Sequence, residues 1–269
     1  MWRWAALVFV LTAMAAEGGR FVAQRGGDVN NFDFSGPCAW RSTDRWGWLD
    51  SKAAEANAKT VRVLFLGDDL TFDNDLPGML VKVASSDPSA TVRLEVRSTT
   101  APDASLTRLW DEGCGLSRLK TDHYDAVVLQ EHSYFWIPDR AEQAREAAGR
   151  WISAARTYGA RPIYFELWTD PGDPYTDAGE ALEAAQINAR QYGAEIARIG
   201  EAFAEASASP VPDLFQSDRR QPSETGSWLA ALVIFHHLTG EPAARATWRP
   251  AGVTPDQAAI LQGVADRYG

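Results

Sequence analysis

Apolar segments of strand length alternate with helical patterns from Val61 to the end of the chain. The predicted strands are Val61–Gly67, Thr91–Ser98, Tyr124–Gln130 and Arg161–Trp168, with a short fifth strand at Ile196–Ile199. The predicted helices are Leu76–Ala84, Ala104–Lys120, Pro138–Tyr158, Ala178–Tyr192, Pro222–Leu238 and Pro255–Tyr268. This alternation predicts an α/β fold: a three-layer α/β/α sandwich with a central parallel sheet.

The first 59 residues do not follow this alternation. Residues 1–15 place one positive charge, Arg3, before an apolar run that ends in a small-x-small pattern. This is typical of a signal peptide, and the alternative is a short membrane anchor held at the interface by its tryptophans. Residues 16–59 are rich in Gly, Asn, Asp and Trp and predict an irregular arm. Residues 60–269 then form the α/β domain.

The arm contributes two further hypotheses. Trp40, Trp46 and Trp48 either cover the core of the domain itself or dock another protein, because aromatic residues are enriched at interfaces. Cys38 in the arm and Cys114 in the domain are the two cysteines of the chain. In an exported protein they can form one disulfide, and the alternative is two unpaired small apolar side chains.

Composition narrows the possible functions. The chain has 269 residues, of which 45% are hydrophobic, enough for one large domain with a sizeable core. Its net charge of -10 repels the phosphates of nucleic acids, so we expect no nucleic-acid partner. None of the four histidines falls in a Cys/His metal spacing, and we expect no metal ion or other cofactor.

Three short motifs lie where a parallel sheet places its ligand-binding loops, at the carboxyl ends of strands. They are GDDLT at 67–71, VVLQEHS at 127–133 and DRRQPS at 218–223, the last leading into a helix. In this order they resemble the signature blocks of the SGNH (GDSL-like) hydrolases, and the resemblance covers most of the chain from Val61 onward. It implies the SGNH, flavodoxin-like arrangement of the sandwich and an active site at this rim of the sheet.

The resemblance also assigns roles, and several of the residues that should fill them differ here. The position of the nucleophilic serine is Asp69, and that of the histidine base is Gln221. The glycine that supplies an oxyanion-hole N–H aligns near Asp103, next to a proline, which predicts that this donor is lost. Asp218 and Gln130 remain in recognisable form. Because a nucleophile and its base work as a unit, losing both removes the mechanism.

We therefore expect a catalytically inactive SGNH-like protein, exported to the periplasm or outside the cell, or membrane-associated through its N-terminus. It would act as a binding or structural subunit of a cell-envelope or membrane-associated assembly, with a protein as its main partner and a polysaccharide as a second candidate ligand. The alternative is an extracellular ester hydrolase of the carbohydrate deacetylase type that uses His132 and Ser133 on the same rim. A third hypothesis is that Asp69, Asp103 and Asp218, with the two glutamines, hold a calcium ion, although no ligand-loop spacing supports it.

Overall fold

The computed structural model describes residues 48–53, 58–132, 138–169 and 178–269. All of these residues belong to one compact unit of the chain, Arg41–Gly269. Several residues singled out from the sequence lie outside the described ranges, namely residues 1–15, Cys38, Trp40, Trp46 and Ser133. The disulfide and docking hypotheses that rest on them stay predictions.

Six strands of the described chain form one sheet. They are β1 (Leu49–Asp50), β2 (Lys59–Gly67), β3 (Val92–Thr100), β4 (Ala126–Leu129), β5 (Arg161–Phe165) and β6 (Glu195–Ala197). Their order across the sheet is β1-β3-β2-β4-β5-β6. β2 to β6 are parallel, and β1 pairs with β3 in the antiparallel direction. The predicted parallel sheet is confirmed. β1 lies within the arm predicted to be irregular, and a strand of two residues is too short to show an alternating pattern.

Nine α-helices of the described chain surround the sheet. They are α1 (Asp69–Phe72), α2 (Leu76–Ser86), α3 (Leu106–Asp111), α4 (Cys114–Thr121), α5 (Pro138–Thr157), α6 (Ala178–Tyr192), α7 (Ile199–Ser207), α8 (Glu224–Thr239) and α9 (Pro255–Tyr268). The single helix predicted over Ala104–Lys120 is two helices, because Gly113 adopts a left-handed φ of 73° between them. α7 was not predicted, since its first residue was assigned to the short fifth strand.

The helices form two layers. α2, α7, α8 and α9 pack together on one face of the sheet, and α3 to α6 pack together on the other. β2 and β4 lie at the centre, and residues 63–67 of β2 and the whole of β4 are buried, which is why these segments read as continuous apolar runs. The sandwich therefore brings the loops after β2, β3 and β4 to one rim. Within the described residues, no helix is both long and apolar enough to cross a membrane.

Trp48 marks the beginning of the described chain and contacts its own domain. Its ring centroid lies 5.3 Å from that of Tyr124, and the Arg97 guanidinium lies 4.6 Å from the centre of the Trp48 ring. Such a cation–π contact fixes the ring against the sheet. Trp48 thus covers part of the domain, and a role in docking another protein stays a prediction.

Candidate functional site

The turn after β2 presents Asp69 at the carboxyl end of the sheet. Asp68 caps α1, its Oδ1 accepting a hydrogen bond of 2.9 Å from the Leu70 N–H. Asp69 is the first residue of that helix. Gly67 is required by close approach, because a Cβ atom there would lie 2.3 Å from the Oε1 atom of Gln130. This tight strand–helix turn is the position at which a nucleophile would be presented.

Both oxygens of the Asp69 carboxylate accept hydrogen bonds from the expected catalytic positions. Oδ1 accepts from the backbone N–H of Asp103 at 3.2 Å, and Oδ2 accepts from the Gln221 Nε2 group. Asp103 has a left-handed φ of 51°, the conformation that glycine adopts most readily. The prediction that this donor is lost is therefore wrong. The proline precedes the donor residue, and the N–H of Asp103 still points at the nucleophile position.

Asp218 and Gln221 do not form an orienting pair. Asp218 Oδ1 accepts hydrogen bonds from the backbone N–H groups of Arg220 at 2.9 Å and of Gln221 at 3.0 Å, and so closes the turn before α8. The Gln221 side chain instead reaches Asp69, across 152 positions of sequence. Ser223 caps α8 through the Gly226 N–H. Asp218 thus shapes the loop through the backbone, and the carboxylate that the Gln221 side chain binds is that of Asp69.

Gln130 faces inward and does not line the cleft. Its Oε1 atom accepts from the Asp68 N–H and from the Thr71 hydroxyl, both at 2.8 Å. Its Nε2 group donates to the backbone carbonyl of Glu131 at 2.7 Å. Because the side chain is fully buried and each of its two polar atoms has a partner, it holds the turn after β2 in place. It is not available as an amide donor to a ligand.

Glu131 is a site residue to which sequence reasoning gave no role, although it lies within the second motif. Its Oε1 atom accepts from the backbone N–H groups of Leu106 at 3.0 Å and His132 at 2.8 Å. Burial raises the pKa of Glu131 to about 7, and these hydrogen bonds oppose the rise. One carboxyl group thus ties the start of α3 to the loop after β4. The only sequence signal was an acidic residue at the end of an apolar strand.

His132 completes the rim beside Asp103. Its side chain is 13% exposed, and its Nε2 atom lies 3.8 Å from Asp103 Oδ1. Burial lowers the pKa of His132, while the charges of Asp69 and Asp103 act in the opposite direction. The lowered pKa favours the neutral imidazole, the form that accepts a proton. Ser133, the other fallback candidate, lies outside the described residues.

The rim is acidic, but its carboxylates do not converge on a cation site. Burial first, and then the charge of Asp69, raise the pKa of Asp68 well above its ordinary value. Both oxygens of Asp69 accept N–H donors, and Oδ1 of Asp218 accepts two backbone N–H groups of its own turn, so these carboxylates are held by protein donors and do not face one another. Among the described residues, no group of three or more His, Cys, Asp or Glu side chains could hold a metal ion.

The sheet order and the site geometry define the chain as an α/β protein with the fold of the SGNH hydrolases. A proposed SGNH hydrolase from Slackia heliotrinireducens is 25% identical, with a TM-score of 0.56 over 68% of this chain and 100% of its own. A DUF4886 family protein from Bacteroides uniformis gives a TM-score of 0.65 at 15% identity, over 78% and 94% of the two chains. Axe2, an acetylxylan esterase from Geobacillus stearothermophilus, gives 0.51 at 11% identity, over 69% and 97%. Neither a protein-family model nor a curated protein matches the sequence.

Proposed function

We propose that this protein is a non-hydrolytic member of the SGNH fold, exported and used as a binding or structural subunit of an envelope or membrane-associated assembly. The observation that carries the proposal is the hydrogen bond between Gln221 and Asp69. The positions of nucleophile and base are occupied by residues that bind each other. The exchange is chemically complementary, because an amide donates to a carboxylate, whereas neither group supports acyl transfer by the serine route.

The oxyanion donor supports the same proposal. In a serine hydrolase the backbone N–H at this position stabilises the negative charge of the tetrahedral intermediate. Here the Asp103 N–H already donates to the carboxylate of Asp69, so this donor has an acceptor from the protein itself. A substrate carbonyl would have to displace a charged group held within its own cleft. The rim is thus poorly suited to stabilising an oxyanion.

The chemistry of the rim favours a particular kind of ligand. The Asp103 side chain is 87% exposed, Asp218 is also exposed, and both present carboxylates to solvent. Carboxylates accept hydrogen bonds from hydroxyl groups and repel anions. A neutral polysaccharide fits this rim better than a phosphorylated or carboxylated one. A protein partner would instead be held by the tryptophans of the N-terminal arm, which we propose as the docking element.

The proposed absence of hydrolytic activity is tested by an esterase assay on the full chain. We expect no turnover of p-nitrophenyl acetate or of acetylated xylo-oligosaccharides above the buffer rate, and no labelling by a fluorophosphonate probe. The acetylxylan esterase from Geobacillus stearothermophilus serves as the positive control in the same buffer. Turnover that is lost in Asp69→Ala would overturn the proposal, because it would give the carboxylate a catalytic role.

The proposed docking through the arm is tested by capturing partners from a membrane fraction with the full chain, whose native N-terminus is kept intact. We expect Trp40→Ala with Trp46→Ala to lose the captured protein, because the arm supplies the contact. Trp248→Ala is the matched control, since Trp248 packs against Lys82 within the domain. Equal capture by both variants would contradict docking through the arm.

A second candidate function is an ester hydrolase with altered catalytic groups, and the position of His132 favours it. An imidazole beside Asp103 with a lowered pKa could serve as the general base for a serine nucleophile, the role that this candidate gives to Ser133. The candidate predicts turnover that disappears in His132→Ala and in Ser133→Ala. His123→Ala is the matched control, because the His123 side chain is 65% exposed and lies 3.9 Å from Asp125, away from the rim motifs. Turnover that persists in His132→Ala would exclude this mechanism.

A further inference from the structure

An open groove of about 780 Å³ crosses the helical layer formed by α3 to α6. Residues of four helical segments line it, among them Trp110, Lys120, Arg150, Tyr158 and Tyr192. α5 ends immediately before β5 begins, so Tyr158 lies at the amino edge of the strands. The Tyr158 end of the groove therefore lies at the opposite end of the strands from the Asp69 rim. The volume of the groove is within the range of small-molecule sites, about 300–1,000 Å³.

Two of the aromatic rings in this groove are held in place by the domain. Trp110 packs edge-to-face on the buried Trp151, with ring centroids 5.1 Å apart and planes at 83°. The Trp151 indole N–H donates to the Leu106 carbonyl at 2.9 Å, which fixes that ring in turn. The Tyr192 ring lies against Gly149, where an added Cβ atom would be 2.7 Å from the ring. The rings are thus pre-positioned, so little side-chain entropy is lost when a ligand binds them.

The polar lining of the groove is close to neutral. Arg150 pairs with Glu146 at 3.4 Å, and Lys120 adds one positive charge. Ser153 and Thr157 add hydroxyl groups one helical turn apart, with the Thr157 hydroxyl donating to the Ser153 carbonyl at 2.8 Å. Such a surface offers donors and acceptors along its length but only a weak attraction for anions. Its charge balance matches a neutral ligand that is rich in hydroxyl groups.

We propose that the groove between α3 and α6 binds a neutral oligosaccharide in an extended form. The apolar faces of pyranose rings would stack on Trp110, Tyr158 and Tyr192. Their hydroxyl groups would bond to the charged and hydroxylated side chains between these platforms. Tyr158 is 36% exposed, which leaves its ring accessible at the end of the groove. The open shape accommodates a chain that enters and leaves, whereas a compact aromatic ligand would need an enclosed slot.

The test is a titration of the full chain with cellohexaose and xylohexaose, followed by calorimetry or by NMR. We expect at least one of them to bind, with affinity about tenfold lower in Trp110→Ala and several-fold lower in Tyr158→Ala. Trp248→Ala is the matched control and should bind as the unchanged protein does. If Trp110→Ala fails to fold, as judged by circular dichroism, Tyr158→Ala carries the test, because its exposed ring can be removed without opening the core.

The remaining outcomes separate this groove from the rim. Hexasaccharide binding that is lost in Asp69→Ala with Gln221→Ala but kept in Trp110→Ala and in Tyr158→Ala would assign the sugar to the rim and overturn the proposal. No heat and no shift with either sugar at millimolar concentration would overturn the proposal. A concentration-dependent dimer that Tyr158→Ala disrupts would also overturn it, since a second copy would then cover the groove.

Discussion

The cleft has two layers, and they match the motifs of the SGNH hydrolases to different degrees. The exposed layer, formed by Asp69, Asp103 and Gln221, holds an aspartate and a glutamine where the resemblance to the SGNH hydrolases expects the serine and the histidine. The buried layer beneath it, formed by Gly67 and Gln130, keeps a tightly fitted hydrogen-bond arrangement. The difference separates two kinds of position in the first motif: Gly67 fits the turn against Gln130, whereas Asp69 faces the cleft. A chain can therefore keep the fold of an enzyme family while its reactive groups change.

The largest expected effect is on the buried layer. Gly67→Ala would place a Cβ atom 2.3 Å from Gln130 Oε1 and 2.7 Å from Thr71 Oγ1. Displacing Gln130 strains the core and removes at least one buried hydrogen bond, so we expect the free energy of unfolding to fall by about 4 kcal/mol. Chemical denaturation followed by circular dichroism measures it.

A second glycine gives the matched control for this substitution. Gly263 lies within α9, and the nearest atom to an added Cβ there, Arg267 Nη1, is 3.8 Å away. Gly263→Ala should stabilise the protein by about 0.5–1 kcal/mol through helix propensity. If both substitutions changed stability by the same amount, the close fit between Gly67 and Gln130 would not be what maintains the turn.

The next effect is a pH dependence of stability that comes from two buried carboxyl groups, Glu131 next to Gln130 and Glu166 directly after β5. Burial raises the pKa of both Glu131 and Glu166 to about 7. A carboxyl group with a raised folded-state pKa stabilises the fold while it is protonated, and this contribution is lost as the pH rises from about 4.5 to about 7. We expect the free energy of unfolding to fall by up to about 3 kcal/mol for each group over that window. Denaturation at pH 5, 6, 7 and 8 checks the direction.

Glu131→Gln isolates one of the two contributions. Glutamine keeps an acceptor for the N–H groups of Leu106 and His132 but does not titrate. The variant should lose part of the pH dependence and be more stable than the unchanged protein at pH 8. Glu166→Gln provides the parallel variant, because Glu166 accepts the Glu201 N–H at the start of α7 in the same way, at 3.1 Å. If the free energy of unfolding of Glu131→Gln changed with pH as steeply as that of the unchanged protein, Glu131 would not contribute to the pH dependence.

How far the sequence could predict this molecule depends on the range of the interactions. The strands at the centre of the sheet and the helices α6 and α9 could be predicted from local patterns. A strand buried on both faces gives a continuous apolar run, and a helix gives a periodic one, and both patterns are visible within a short window of sequence. The contact of Asp69 with Gln221 could not, since 152 positions separate the two residues and only the folded rim joins them. The N–H group that faces the cleft could not be predicted either. It belongs to Asp103 and not to its neighbour Pro102, and its direction depends on a left-handed φ that the local sequence does not specify.

A smaller effect is expected at the exposed layer. Gln221→Ala removes the bond to Asp69 but leaves the turn of Asp218 and the cap of α8 intact. Because both side chains are partly exposed, water can replace the lost partner, and we expect a cost of about 1 kcal/mol. Thermal unfolding measures it. A cost as large as that of Gly67→Ala would erase the distinction between the two layers.

The smallest expected effect is that of Asp103→Gly, which restores the residue type that the oxyanion turn prefers. The backbone N–H to Asp69 would remain, and a left-handed φ of 51° costs glycine nothing, so we expect stability to rise by about 0.5 kcal/mol. The pKa of His132 should fall further, because the substitution removes a carboxylate that raises it. An NMR titration of His132 gives this readout, with the resonance of His123 as reference in the same spectrum. A loss of more than about 1 kcal/mol would mean that the Asp103 carboxylate holds His132 in place, and that the exposed layer maintains the fold as the buried layer does.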